Sequence, residues 1–117
     1  AGIQVILINN KSYQKYSKSV DFIQKYVFPG GMLPSQEKLN ENYVNAGLIE
    51  INSHSFGKSY AKTLTIWHKE FLNSLSSIKK LGFDIKLERI FKYYFSYCKA
   101  GFNSEKIDVA QKIIKLS

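Results

Sequence analysis

Apolar positions along this chain change period several times, and each change predicts an element. Ile3-Gln4-Val5-Ile6-Leu7-Ile8 is short, β-branched and almost wholly apolar, as expected of a strand buried on both faces inside a mainly parallel sheet. Asn9, Asn10 and Lys11 end it. Apolar groups next recur at spacings of three and four through Phe22, Ile23, Tyr26 and Val27, predicting a short helix that Ser17 or Ser19 can cap. Pro29-Gly30-Gly31 stops that helix, and Pro34 keeps the chain irregular up to Ser35. Ser35 is a good N-cap for a helix over Gln36 to Ala46, with Gly47 placed to close it. Leu48-Ile49-Glu50-Ile51 returns to a strand pattern.

The clearest helix follows Gly57. Tyr60, Leu64, Trp67, Phe71, Leu75 and Ile78 form one apolar stripe at helical spacing, ending at Gly82. Asp84 caps a second long helix whose inner face is Leu87, Ile90, Phe91, Tyr94, Phe95 and Cys98, and Gly101 ends it. Ile107, Val109, Ile113, Ile114 and Leu116 read as a closing strand, although Ala110 to Lys115 also fits a helical pattern. The expected class is α/β, three strands with four covering helices. Three strands make a poor free-standing sheet, so residues 1–117 are expected to be a single unit at the edge of a larger α/β sheet.

Composition narrows the picture further. With 44% hydrophobic and 15% aromatic residues the chain has material for a core, and no apolar run reaches the length of a bilayer span. The opening Ala1-Gly2-Ile3, with neither Met nor signal peptide, suggests a piece of a longer chain. One cysteine, Cys98, allows no internal disulfide and fits a cytoplasmic setting. The net charge of +8 is concentrated in residues 51–117, which carry +7. Such a half would attract anionic phospholipid or nucleic acid. Arg89 is the only arginine among the 17 basic residues, and no nucleic-acid motif is present, so nucleic acid is not expected as a partner. A peripheral position on an anionic inner-membrane surface is the expectation, with lysine-rich composition bias as its plain alternative.

Catalytic signals are sparse on residue chemistry alone. No glycine-rich turn joins a strand to a helix, since Gly30-Gly31 follows a helix and a proline, so no dinucleotide- or methyl-donor-binding turn is recognisable. His54 and His68 have no acidic partner at a triad-like spacing, and two His with one Cys make no metal set.

Four stretches carry a specific resemblance. Asp21-Phe22-Ile23-Gln24-Lys25-Tyr26-Val27-Phe28-Pro29-Gly30-Gly31-Met32-Leu33-Pro34-Ser35 is similar to a signature of the cyclopropane fatty acyl phospholipid and mycolic acid cyclopropane synthases. Phe56-Gly57-Lys58-Ser59-Tyr60-Ala61-Lys62-Thr63-Leu64, followed by Trp67, resembles their second signature. Tyr93 to Phe102, with its Tyr-Cys-Lys-Ala-Gly-Phe ending, resembles a third. Ile107-Asp108-Val109-Ala110-Gln111 resembles the segment that closes these enzymes. The resemblance covers nearly the whole chain, in order.

It implies the C-terminal portion of a seven-stranded methyltransferase (Rossmann-like) sheet, with the rest of the methyltransferase domain as partner. The implied activity uses S-adenosylmethionine to methylate the cis double bond of unsaturated phospholipid acyl chains, after which loss of a proton closes a cyclopropane ring. The cofactor would be bound outside this stretch. Tyr60 matches a tyrosine that helps hold the bicarbonate proposed to take that proton. A phenol suits this, because its hydroxyl donates to an oxyanion while its ring packs against lipid. Gln4 matches a position where many members carry a bicarbonate-contacting histidine and one branch carries glutamine. Glutamine can donate but not titrate, which puts ring closure in question and leaves a methyl-branched or methylene product open.

Phe28, Leu33, Leu64 and Cys98 fall on positions implied to line the acyl channel. Each has a plain counterpart: Tyr60 as a core aromatic heading the stripe, the other four as ordinary packing, Cys98 as a small buried hydrophobe. His54, just before the second signature, reads as a solvated loop histidine, with a pocket-facing position as the alternative. Three function classes follow: the lipid side of an acyl-chain methyltransferase, a non-catalytic lipid-binding remnant, or a methyltransferase of the same fold with another substrate.

Overall fold

The computed structural model describes all 117 residues. Three strands, β1 (Gly2–Ile8), β2 (Leu48–Ser55) and β3 (Ile107–Leu116), are joined by two helical insertions. The first insertion holds α1 (Asn10–Ser17), α2 (Phe22–Tyr26) and α3 (Gln36–Asn45), and the second α4 (Gly57–Asn73), α5 (Leu75–Lys80) and α6 (Ile85–Asn103). The sheet order is β1-β3-β2, with β3 antiparallel to both neighbours. The expectation of a mainly parallel surrounding for β1 is therefore corrected within this chain: β1 and β2 share a direction, but the last strand inserts between them the other way. Nor is β1 buried on both faces along its length. Its exposure alternates, and only Leu7 and Ile8 are fully covered.

Side-chain alternation divides the sheet into two faces. Val109 belongs to a buried cluster with Ala61 and Leu64 of α4 and Phe95, Cys98 and Phe102 of α6, and Ile6 packs against it. Lys112, three residues further along β3, points the opposite way. Its Nζ donates to Gln36 Oε1 of α3 at 2.8 Å and to Glu50 Oε2 and Ser53 Oγ of β2, both at 3.0 Å. The layers are thus α3 on one face and the α4/α6 pair on the other. Phe71 of α4 meets Phe91 and Phe95 of α6 at ring distances of 5.8 and 5.7 Å, extending the pair as an antiparallel hairpin. The molecule measures 51 × 28 × 26 Å with a radius of gyration of 16.6 Å, against roughly 13 Å for a compact chain near this size. Much of each sheet face consequently stays open.

The four expected helices are present, with differences at their ends. Ser35 and Asp84 cap α3 and α6, accepting from Lys38 N and Leu87 N, and Gly47 takes φ +67° after α3. Neither Ser17 nor Ser19 caps α2. Both hydroxyls donate back into the end of α1, a helix the pattern did not predict, which Asn9 starts by accepting from Ser12 N. Asp21 is the true cap of α2: it accepts from Gln24 N at 2.9 Å, while Gln24 Oε1 accepts from Asp21 N at 3.0 Å. The long apolar stripe breaks at Ser74, where Asn73-Ser74 offers side chains that compete with helical hydrogen bonds, so Leu75 and Ile78 fall on the separate α5. Trp67 is half exposed instead of buried.

Candidate functional site

The second and fourth signature segments close on each other to build the site. Gly57 starts α4, and its N–H donates to Asp108 Oδ1 of β3 at 2.9 Å, while Phe56 N donates to Val109 O at 2.9 Å. The residue at the N-cap of α4, Phe56, has no capping side chain, so Asp108 supplies the missing acceptor from across the sheet. A Cβ on residue 57 would sit 2.4 Å from that Oδ1, which explains the glycine. Gly101 follows the same logic in the third segment: a Cβ there would meet Ile107 at 3.0 Å, and the close approach lets Phe102 enter the core.

These contacts fix Tyr60 one turn into α4. Its ring meets Phe102 at 5.0 Å, Trp67 at 5.7 Å and Phe56 at 6.4 Å, each edge to face. Burial pushes its hydroxyl above the ordinary phenol range, with nearby Cys98 adding to the shift, so the group stays a protonated donor. Leu64, one turn on, is fully buried beside Cys98. Burial pushes the Cys98 thiol up to about 11, and a polar interaction with Tyr94 partly opposes this, so the thiol remains neutral and packs as a hydrophobe. Tyr94 was read only as inner-face packing. Its hydroxyl is pushed up to about 12, first by burial and then by Cys98 and Tyr60, which places it in the same group.

Gln4 lies on the same sheet face, because it is two residues from Ile6, which packs on the core. It pairs with Gln111, whose Nε2 donates to Gln4 Oε1 at 3.2 Å. Gln4 is solvent-exposed, and its hydrogen-bond partner is Gln111 rather than Tyr60. Gln111 in turn pairs with His54. The expected loop position of His54 is corrected, since β2 runs on to Ser55 and carries this residue.

The first signature forms a separate turn. Gln24 Nε2 donates to Gly31 O at 2.8 Å, Gly30 adopts φ +80°, and the Tyr16 hydroxyl accepts from Leu33 N at 2.8 Å. Phe28 is more than half exposed there and Leu33 half-buried. The turn docks on α6 through Phe22, 4.5 Å from the ring of Tyr93, and through Tyr97, whose hydroxyl donates to Asp21 Oδ2 at 2.9 Å. Tyr60, Leu64 and Cys98 are therefore brought together; Gln4 shares their sheet face but contacts Gln111, and Phe28 and Leu33 stand apart from the core.

A family model described as mycolic acid cyclopropane synthetase matches residues 3–112. The chain belongs to this family. Among similar proteins, tuberculostearic acid methyltransferase UfaA1 of Mycobacterium tuberculosis is 37% identical over 91 residues, covering 77% of this chain and 21% of that protein. The cyclopropane-fatty-acyl-phospholipid synthase of Escherichia coli K12 is 29% identical over 110 residues, covering 93% of this chain and 28% of that protein. The solved cyclopropane synthase MmaA2 of Mycobacterium tuberculosis superposes with a TM-score of 0.83 at 20% identity, over 97% of this chain and 42% of that one. Mycolic acid cyclopropane synthase CmaA1, solved with SAH and CTAB, gives 0.82 at 22%. The chain thus spans less than a third of these two relatives and about two-fifths of the first solved structure, and its α/β fold is part of theirs.

Proposed function

We propose that this chain is the lipid-facing part of an S-adenosylmethionine-dependent methyltransferase that modifies the cis double bond of unsaturated phospholipid acyl chains. The observation that carries the reading is Tyr60: a protonated hydroxyl among aromatic rings, one helical turn from buried Leu64 and beside Cys98. Such a wall accepts an acyl chain while offering one hydrogen-bond donor at its sheet end. The name of the Escherichia coli relative, a phospholipid synthase, supports the substrate class. S-adenosylmethionine would be held by the rest of the methyltransferase domain, because no strand-to-helix glycine turn occurs here.

The residues present fit bicarbonate as donors. Gln4 Oε1 is engaged by Gln111, which leaves the Nε2 end for a ligand, and the Tyr60 hydroxyl stays protonated. When bound, bicarbonate would supply the base for the proton lost on ring closure; Tyr60 and Gln4 would hold and orient it. The lysines of residues 51–117 support a position at the inner-membrane surface; no helix here is long and apolar enough to cross a membrane. A non-cyclised product is the second reading, favoured by Gln4 in place of histidine and by a 37% identical relative named for tuberculostearic acid.

The test is product analysis. Full-length protein, S-adenosylmethionine and anionic vesicles of cis-unsaturated phospholipid are incubated, and the released acyl esters are examined by gas chromatography–mass spectrometry. Acyl chains heavier by one methylene and lacking the double bond are expected. Absence of any methylated lipid, with the cofactor bound, would overturn the reading.

A further inference from the structure

The sheet face that carries α4 and α6 also bears a polar row that the reading above does not use in full. Gln4, Gln111 and His54 lie side by side across all three strands, Gln4 opposite Gln111 and Gln111 opposite His54. Directly paired residues project to one face, and Ile6 and Val109, two residues along β1 and β3, fix that face as the one carrying α4 and α6. Gln4, Gln111 and His54 line a single open cavity of about 440 Å³.

His54 is tied to the catalytic side by two routes. Its ring stacks on Phe56 at 5.8 Å with 16° between planes, and Phe56 meets Tyr60 edge to face. Along the sheet, Gln111 bridges it to Gln4. The chemistry of the cavity favours an anion. No carboxylate lines it, its lining residues include the Asn52 amide, and the Gln4 amide presents its donor end because its oxygen is already taken; Lys112 borders it with backbone only, its Nζ being held on the opposite sheet face.

We infer that His54 is a further binding residue for a small oxyanion of the bicarbonate class, donating a hydrogen bond from β2 where Gln4 donates from β1. The inference rests on the proposed reading of the site and deepens it. It gives this chain a third donor beside Tyr60 and Gln4, on the far side of Gln111 from Gln4, one that compensates for the glutamine on the first strand.

The experiment is titration of the full-length protein with ¹³C-bicarbonate, followed by carbon NMR, with inorganic phosphate as a competitor that tests selectivity for the planar anion. His54→Phe keeps the stacking on Phe56 and removes the donor; His54→Gln restores a donor. Because His54 is exposed, neither change removes core packing, and thermal melting confirms folding. Loss of one charge-assisted hydrogen bond is expected to weaken bicarbonate binding about tenfold or more in His54→Phe, with His54→Gln recovering most of it and phosphate competing poorly. Wild-type affinity in His54→Phe, or equal loss in both variants, would overturn the inference. If Tyr60→Phe weakens bicarbonate while His54→Phe does not, the oxyanion reading stands and His54 falls. If the wild-type protein binds no bicarbonate, the oxyanion reading itself fails.

Discussion

At the scale of residues, the account turns on a single hydroxyl. Tyr60→Phe in the full-length protein keeps the ring against Phe102 and Trp67 and removes only the donor. Turnover should fall by about ten- to a thousandfold, the range of one donor lost from a sheltered site, while the melting temperature scarcely moves. Unchanged turnover with chemistry rate-limiting would make Tyr60 a packing residue. Tyr60, Leu64 and Cys98 were legible because a helical stripe and the signature spacing both point at them. Lys112 was not. It reads as one more surface lysine, yet it is 2% exposed, because its acceptors Gln36, Glu50 and Ser53 come from two other elements far off in sequence. The strand position of His54 was missed for a related reason: the apolar alternation of β2 fades after Ile51, although pairing with β3 continues to Ser55.

At the scale of elements, close approach explains Gly57 and Gly101 of the signature segments, and a remote cap explains Asp108. Gly57→Ala must push the Asp108 carboxylate off the start of α4, and it should destabilise the protein by about 0.5–2 kcal/mol, the worth of an N-cap. A chemical-denaturation midpoint measures it, and an unshifted midpoint would show that Asp108 does not cap α4. Helix α6 sets an alkaline limit. Tyr94 and Tyr97 are both pushed up to about 12, chiefly by burial, with Asp21 adding to Tyr97. The folded state therefore holds these protons after the unfolded chain, with ordinary phenols near 10, has released them. Their contribution is complete below pH 10 and lost as pH rises from there towards 12. Melting temperature followed from pH 8 to 11.5 should fall less steeply in Tyr94→Phe/Tyr97→Phe than in the wild type; identical slopes would contradict these shifts. Helix existence was legible from caps at Ser35 and Asp84, whereas α1 was hidden because Asn10 to Ser17 is polar almost throughout.

At the scale of the whole molecule, the α/β class and the three-stranded sheet were legible, but strand direction was not. An apolar run such as Ile3 to Ile8 reports burial, and the antiparallel insertion of β3 depends on pairings more than a hundred residues apart, such as Gly2 with Ile113. The open faces, the elongated shape and the partial coverage of the relatives agree with a segment of a larger fold; the proposed reading makes it the lipid side, with the cofactor held by the rest of the domain. Photolabelling tests that division most directly. Full-length protein is irradiated with a vesicle phospholipid bearing a diazirine on its cis-unsaturated acyl chain and, separately, with a photoreactive S-adenosylmethionine analogue, and labelled peptides are identified by mass spectrometry. The account predicts lipid label on the peptides containing Leu64, Cys98 and the Phe28–Leu33 turn, with cofactor label outside residues 1–117. Cofactor label concentrated on these peptides, or lipid label absent from them, would contradict it.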